Sequence, residues 1–320
     1  MKVIDIINAA QAEGRTRLSV EILPPRKGEG TEGIFAAIDR LTPFDPAYID
    51  VTFHRENVKY VEHASGLLER RVVRRRPGTV GISAAIKARY GIETVPHLIC
   101  GGLSRYDVED MLIDMDFLGL HNVLALRGDN LRGDNQFRPA AGGHAHADEL
   151  VAQIAAMNRG AMVDGEVERC RSTEFCVGVA GYPEKHSEAP NMKGDISFLR
   201  QKVDAGASYV VTQMCFDSGK ILGFIDRCRE AGIDVPIIPG IKPLSTKAQL
   251  TLLPQVFSVE LPEELVSEVE RCRDNAAVVE VGIEWAVAQA RELKKAGLPI
   301  LHFYIMSRGD IMAKIAKEVF

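Results

Sequence analysis

Short apolar segments alternate along the chain with longer amphipathic segments. Eight of the apolar segments are rich in Val, Ile and Leu, and they lie at 18–23, 47–53, 94–100, 122–126, 174–180, 208–213, 235–240 and 298–304. The segments between them place apolar residues at helical spacing, as at Ile196, Leu199 and Val203. Nearly continuous apolar strands that alternate with helices are typical of parallel β/α proteins.

The fold class that this alternation predicts is α/β, with eight parallel strands closed into a (β/α)8 TIM-type barrel. We expect one catalytic barrel domain over residues 1–320. No Gly-x-Gly-x-x-Gly motif follows a predicted strand, which disfavours a Rossmann dinucleotide fold. Ser104 is positioned to cap a helix, and Gly206 and Gly232 stand where helices are expected to end.

Two segments interrupt the alternation. Over 54–78 we predict an extra helical segment, which contains the basic run Arg70 to Arg76. This run is either a solvated helix end or a patch that binds an anionic tail or a phosphate. The segment 130–147 is rich in Gly, Asn and His, and we predict that it is an active-site loop after the fourth strand.

Composition and charge argue against several kinds of binding partner. The net charge of -5 and the pI near 6.0 argue against a nucleic-acid partner. No apolar run approaches the roughly 18–20 residues of a membrane helix, and residues 1–18 lack the apolar centre of a signal peptide. We therefore expect a cytoplasmic protein with no membrane partner. We also expect no metal, because His144 and His146 have no carboxylate or cysteine at ligand spacing.

Glu21 lies inside an apolar strand segment, between Val20 and Ile22. A carboxyl group in such a place loses hydration, so its pKa is expected to rise toward neutrality. A raised pKa suits a general acid. The alternative is a salt bridge to a lysine or an arginine inside the barrel, and the residues alone leave both possibilities open.

Polar residues recur where the predicted strands end. Arg127, Gly128 and Asp129 follow the fourth strand directly. Asp195 and Lys202 are seven residues apart, so they share one face of a helix. The other polar residues near strand ends are His97, Tyr182, His186, Gln213, Gln249 and Arg308. Because active sites of β/α barrels form at the C-terminal ends of the strands, we expect these residues to meet at one end.

The segments that carry these residues are similar to those of methylenetetrahydrofolate reductases. The likeness runs in chain order from about Leu18 to Arg308. It rests on the segments 20–26, 51–53, 96–98, 125–129, 181–186, 202–207, 212–213, 238–241 and 302–304. Each segment alone is a weak signal, and together they are highly specific.

The resemblance implies a flavoprotein oxidoreductase of one-carbon metabolism and methionine biosynthesis, with FAD as its cofactor. It would reduce the folate 5,10-methylenetetrahydrofolate to 5-methyltetrahydrofolate. The co-substrate would be a nicotinamide dinucleotide, either NADH or NADPH. Glu21 matches the general acid that protonates the folate nitrogen, and Asp129 matches a carboxylate close to the flavin and the pterin.

The same resemblance assigns binding residues. Those that match FAD contacts are Thr52, Phe53, His97, Arg127, Gly128, Asp129, His146, Ala147, Tyr182, His186, Ala189, Asp195 and Lys202. Those that match folate contacts are Glu21, Asp129, Gln213, Gln249 and Arg308. The chain departs from the family at Leu253, where some members have a stacking Phe. It also departs at Phe198 and Gln201, which replace polar and basic FAD contacts.

Two alternatives of other classes stay open. One is a non-catalytic subunit that binds flavin or folate within a larger complex. The other is a flavin-free barrel methyltransferase that uses folate. We expect a homo-oligomer of the short bacterial form, without the regulatory domain of eukaryotic members.

Overall fold

The computed structural model describes residues 1–54, 57–129, 136–165 and 170–320. Its strands are β1 (Arg17–Ile22), β2 (Ile49–Val51), β3 (Asn57–Glu62), β4 (Leu68–Val73), β5 (Thr94–Ile99), β6 (Asn122–Leu126), β7 (Cys176–Gly181), β8 (Tyr209–Met214), β9 (Ile237–Ile241) and β10 (Ile300–Met306). Its α-helices are α1 (Val3–Ala12), α2 (Glu32–Asp39), α3 (Thr79–Tyr90), α4 (Arg105–Phe117), α5 (Ala147–Met157), α6 (Met192–Asp204), α7 (Ser218–Glu230), α8 (Gln249–Phe257), α9 (Glu263–Arg271), α10 (Asn275–Lys295) and α11 (Gly309–Val319).

Eight of these strands form a closed parallel barrel, which confirms the predicted fold class. Their order around the barrel is β1, β2, β5, β6, β7, β8, β9 and β10, and β10 pairs with β1 to close the ring. Each of the eight predicted apolar segments overlaps one barrel strand. Helices α2, α4 to α8 and α11 each come next after a barrel strand, and α3 comes after the β3–β4 pair that follows β2, so every parallel connection contains a helix.

Strand β1 shows why the interior of the barrel is polar on one side. Val20 and Ile22 are buried in the apolar cluster between the strands and the outer helices. Because successive side chains of a strand point to opposite faces, Ser19 and Glu21 face the interior. Oγ of Ser19 lies 2.9 Å from Nδ1 of His302, its register partner on the neighbouring strand β10.

Helix α1 closes the N-terminal end of the barrel. Ile6 and Ile7 pack in one apolar cluster with the buried Tyr48 and Tyr209, which lie at the starts of β2 and β8. The backbone N–H of Val3 donates to Asn122 at the start of β6, at 2.8 Å. Among the described residues this end is therefore covered, and we call the opposite, C-terminal end of the barrel strands the mouth.

The prediction of an extra helical segment over 54–78 is wrong. Strands β3 and β4 form an antiparallel pair in which Asn57 is opposite Val73 and Glu62 is opposite Leu68. β-branched residues favour strands, and Gly66 takes a φ of 78° in the turn between them. The basic run therefore lies on β4 and in the residues after it, so it is not a helix end.

Helix ends agree with the predicted caps. The side chain of Ser104 accepts from the N–H of Asp107 at 3.2 Å, at the start of α4. Gly206 and Gly232 follow α6 and α7 with φ of 127° and 74°. In the part of the chain that the structure covers, we find no helix with the length and apolar character to span a bilayer.

Candidate active site

The predicted site residues all lie at the mouth side of the barrel strands or on the elements that follow them. The strands themselves carry Glu21 (β1), His97 (β5) and Gln213 (β8). The loops after strands contain Thr52 and Phe53 (after β2), Arg127, Gly128 and Asp129 (after β6), and Tyr182, His186 and Ala189 (after β7). The helices and their ends contain His146 and Ala147 (start of α5), Asp195 and Lys202 (α6), Gln249 (start of α8) and Arg308 (before α11). The expected convergence at one end of the strands is therefore present.

Glu21 lies near the C-terminal end of β1, where 13% of its side chain is exposed. Its register partner on the neighbouring strand β2 is Asp50. Nε2 of His97, on β5, lies 3.8 Å from Oε2 of Glu21. Glu21 is therefore at the boundary between the closed interior and the mouth.

Burial controls the proton affinity of Glu21. It raises the pKa of this carboxyl to about 7. His97 and Lys242 oppose it. A carboxyl group with this pKa keeps a substantial proton-bearing fraction at neutral pH, as a general acid must.

Lys242 is the cation that acts on Glu21, but the two do not form an ion pair. Nζ of Lys242 donates to the backbone carbonyl of Tyr304 at 2.8 Å. Burial lowers the pKa of Lys242 to about 8, and Glu21 opposes this fall. No lysine or arginine among the described residues is ion-paired with Glu21, so the salt-bridge alternative has no support in that part of the chain.

Asp50 is a second buried carboxyl group, which sequence analysis missed. It is 0% exposed, and neither of its oxygens has a hydrogen-bond partner among the described residues. Oδ1 lies 3.3 Å from Nε2 of His97, and Oδ2 lies 3.7 Å from Nδ1 of His302. The signal that could have revealed Asp50 is the one that marked Glu21, an acidic residue inside an apolar strand.

The turn after β6 holds the predicted Arg-Gly-Asp segment. Gly128 has a φ of 84°, and a Cβ there would lie 3.2 Å from Cβ of Ile99, so glycine is favoured. The guanidinium of Arg127 pairs with both carboxylate oxygens of Glu188, with Nη2 and Oε1 2.9 Å apart. Asp129 is exposed at the mouth. The structure thus gives Arg127 a partner that the sequence did not indicate.

Four predicted cofactor residues form one cluster beside this turn. The rings of Tyr182 and His186 meet edge to face, with centroids 4.7 Å apart. Nζ of Lys202 lies 5.8 Å from the centroid of Tyr182. Oδ2 of Asp195 accepts from the backbone N–H of His186 at 3.1 Å. Burial raises the pKa of Tyr182 to about 12, so its phenol keeps its proton.

Lys202 is the half-buried cation of this cluster. Its ammonium donates to the backbone carbonyl of Ala180. Burial lowers the pKa of Lys202 to about 8, while Asp195 and Asp148 oppose the fall. An ammonium group that is partly removed from water and bonded to a neutral carbonyl gains from an anionic ligand, such as a phosphate.

The three predicted folate residues beyond Glu21 and Asp129 make local hydrogen bonds. Oε1 of Gln213 accepts from the N–H of the next residue at 2.9 Å. Oε1 of Gln249 accepts from two backbone N–H groups of the loop before α8, at 2.7 and 3.0 Å. Nε of Arg308 donates to Asp310 at 3.0 Å. None of these hydrogen bonds joins the three residues to Glu21, so their folate role stays a prediction.

The remaining predicted positions lie around the mouth. Oγ1 of Thr52 lies 3.3 Å from Nε2 of His54. Of the predicted active-site loop 130–147, residues 130–135 lie outside the described residues. Leu253 is buried in an apolar cluster, whereas Phe198 on α6 is 52% exposed. Within the described ranges, no three His, Cys, Asp or Glu side chains are placed to hold a metal ion.

Comparison with known proteins gives the family. Residues 6–319 match the sequence profile of methylenetetrahydrofolate reductase. The chain belongs to this family. The probable methylenetetrahydrofolate reductase (NADH) of Oryza sativa subsp. japonica is 31% identical over 317 residues, which are 96% of this chain and 48% of the rice protein. The 5,10-methylenetetrahydrofolate reductase of Escherichia coli strain K12 is 31% identical over 303 residues, which are 94% of this chain and 90% of that protein.

The lengths of these relatives differ. The chain spans about half the length of the plant relatives and most of the length of the Escherichia coli relative. Among solved structures, a protein from Clostridium thermocellum that binds two copies of 5-methyl-5,6,7,8-tetrahydrofolic acid matches with a TM-score of 0.57. It is 14% identical and covers 98% of both chains. At that identity the match supports the barrel fold.

Proposed function

We propose that this protein reduces 5,10-methylenetetrahydrofolate to 5-methyltetrahydrofolate, with electrons from NADH or NADPH and with FAD as its cofactor. The observation that carries the proposal is Glu21, a carboxyl group at the mouth whose pKa burial raises to about 7. Family membership supplies the reaction, and this side chain supplies the proton that the reaction consumes.

The proton transfer follows from the chemistry of the substrate. Opening of the five-membered ring of the folate leaves an electron pair on one nitrogen and a cationic iminium at the other. Glu21 protonates the first nitrogen, which makes it a better leaving group. Asp129, an exposed carboxylate at the same mouth, favours the positive charge of the iminium.

The residues on the other side of the mouth fit an anionic dinucleotide cofactor. The fit rests on Lys202, a half-buried ammonium that donates to the neutral carbonyl of Ala180. Bound FAD would supply the hydride chemistry between the nicotinamide and the folate. The residues that would hold it are Thr52, Phe53, His97, Arg127, Gly128, Asp129, His146, Ala147, Tyr182, His186, Ala189, Asp195 and Lys202.

The test is an absorption spectrum of the purified protein, followed by separate measurements of the two half-reactions. We expect bound flavin, its bleaching by NADH or NADPH, and its reoxidation by 5,10-methylenetetrahydrofolate with formation of 5-methyltetrahydrofolate. A flavin-free protein that turns over folate would instead indicate the methyltransferase. Bound flavin that is reduced by neither NADH nor NADPH would indicate the non-catalytic subunit.

The folate substrate, the cellular location and the oligomeric state belong to the same proposal. The Clostridium thermocellum protein of similar fold binds two copies of 5-methyl-5,6,7,8-tetrahydrofolic acid, which is compatible with a folate substrate for this protein. We place the reaction in the cytoplasm and expect a homo-oligomer. Size-exclusion chromatography with light scattering measures the second expectation.

A further inference from the structure

The buried Asp50 has no role in the proposed reaction. It is fully enclosed, and neither oxygen has a hydrogen-bond partner among the described residues. A buried polar group without a partner costs free energy, so such a group in a folded protein calls for an explanation. Asp50 pairs in register with Glu21 on the neighbouring strand, which links the explanation to the acid.

The two carboxyl groups share one nitrogen atom. Nε2 of His97 lies 3.3 Å from Oδ1 of Asp50 and 3.8 Å from Oε2 of Glu21. This nitrogen is buried and has no hydrogen bond of good geometry to any described residue. It can therefore turn toward either carboxyl group with little movement.

The proton on the imidazole decides which carboxyl group is stabilised. A neutral imidazole has one N–H, and its other nitrogen only accepts. If Nε2 carried the proton, it would donate to Glu21 and stabilise the carboxylate, which would lower the pKa of the acid. If Nε2 accepts a hydrogen bond from Asp50, it has nothing to donate to Glu21.

We propose that Asp50 is a positioning residue that stays protonated and donates a hydrogen bond to Nε2 of His97. Asp50 thereby prevents this nitrogen from stabilising the Glu21 carboxylate, and Glu21 keeps its proton at neutral pH. The consequence for catalysis rests on the proposed role of Glu21 as the acid. The hydrogen bond itself does not depend on that role.

The surroundings of Asp50 favour its neutral form. Burial raises the pKa of Asp50 well above its ordinary value, and burial lowers the pKa of His97. Burial lowers the pKa of His302 to about 3, so this neighbour is neutral too. Other titratable groups face Glu21, Asp50 and His97 from the packed elements. They are Tyr48 before β2, His54 after β2, Tyr209 on β8, Lys242 after β9, and His302 and Tyr304 on β10.

None of these groups supplies Asp50 with a positive charge. Lys242 acts on Glu21 and donates to a backbone carbonyl. Tyr48 and Tyr209 keep their protons, because burial raises the pKa of both well above the ordinary value. An ionised Asp50 would therefore lie unpaired in the interior, which is far more costly than the neutral acid.

The first test reads the proton on His97 by ¹⁵N NMR, without any assay of activity. The wild-type ring is expected to carry its proton on Nδ1, with Nε2 unprotonated. Asp50→Asn keeps a neutral donor in the same shape, so the ring is expected to keep this tautomer. Asp50→Ala removes the donor, and the proton is expected to move to Nε2. A wild-type ring protonated at Nε2 would overturn the proposal, whether or not the protein is a reductase.

The second test is infrared spectroscopy of the wild-type protein, which needs no variant that folds poorly. At a pH about two units above the pKa of Glu21, that side chain is almost fully ionised. A carbonyl stretch of a protonated carboxylic acid is still expected, and Asp50→Asn should remove it. Loss of the band in the wild-type protein at that pH would contradict a protonated Asp50.

The third test measures the pH dependence of the folate half-reaction. The midpoint of the alkaline decline is expected to fall by about one unit in Asp50→Ala and to stay in place in Asp50→Asn. Tyr209→Phe is the control, because it removes a buried hydroxyl near Asp50 and leaves the donor to His97. A midpoint that falls equally in Asp50→Asn would show that Asp50 acts as a charge, and this would overturn the proposal.

Discussion

The two sides of the barrel mouth handle buried charge in opposite ways. The acid side consists of Glu21, Asp50 and His97, and the cation side consists of Arg127 and Lys202. On the acid side the described residues form no lysine or arginine ion pair with either carboxyl group. On the cation side both groups remain cationic, one paired with an exposed carboxylate and one bonded to a carbonyl.

The difference shows how one physical effect prepares two kinds of chemistry. Burial disfavours the charged form of any group, so it raises the pKa of a carboxyl and lowers that of an ammonium. For Glu21 the result is an acid that holds a proton near pH 7. For Lys202 the result is a cation that is bonded to a neutral carbonyl and favours an anion. The comparison therefore predicts that each side can be disabled separately.

The largest effect is expected from Glu21→Gln, which disables the acid side. The amide cannot protonate the folate nitrogen, so reduction of the folate should slow by about a hundredfold or more. Reduction of the flavin by the nicotinamide should remain largely intact. Stopped-flow absorbance of each half-reaction measures both, and equal losses in the two would remove the general-acid role.

The next largest effect is expected from Lys202→Met, which disables the cation side. Lys202 is proposed to hold a phosphate of FAD, so loss of this half-buried ammonium should weaken FAD binding by roughly tenfold to a hundredfold. Fluorescence titration of the flavin-free protein with FAD measures the affinity. Lys193→Met is the control, because Lys193 lies on the same helix and is exposed. The assignment fails if both variants bind FAD equally well.

The third effect is the pH dependence of the acid side in the wild-type protein. In the proposed role of Glu21 only its protonated form is active, so the folate half-reaction should be fastest below about pH 7 and decline as pH rises above it. The decline should approach tenfold per pH unit. Single-turnover rates of the reduced enzyme measure it. A rate that increases with pH over this range would contradict the assignment.

The smallest effect is expected from Lys242→Met. Lys242 lowers the pKa of Glu21, so its removal should raise that pKa and move the alkaline decline upward by about half a unit. Lys247→Met is the matched control, because Lys247 is exposed and donates to the carbonyl of Glu270. A downward shift in Lys242→Met would reverse the sign of the proposed interaction.

The sequence predicted the barrel well because its strands carry their own signal. Each strand is a short apolar run, and parallel strands buried on both sides need such runs. The segment 54–78 has shorter and more polar runs, and its antiparallel pair was taken for a helix. Gly66 in the turn with a φ of 78° and the valines on both sides were the available signals.

The site was predicted less completely, because contacts between distant residues have no local signal. Arg127 pairs with Glu188, which is 61 residues away, and nothing in either segment indicates this. Asp50 has the same sequence signal as Glu21, but its meaning depends on a register between strands that only the folded barrel fixes. The effect of Lys242 on the pKa of Glu21 was missed for the same reason, because only the folded barrel brings the two residues together.

The central claim is that burial at the mouth keeps Glu21 protonated near neutral pH, and a direct titration tests it. The carboxyl carbon of Glu21 can be followed by ¹³C NMR across the pH range, with Glu21→Gln used to assign the signal. The account predicts a midpoint of about 7. A midpoint at the ordinary value of 4.5 would contradict it.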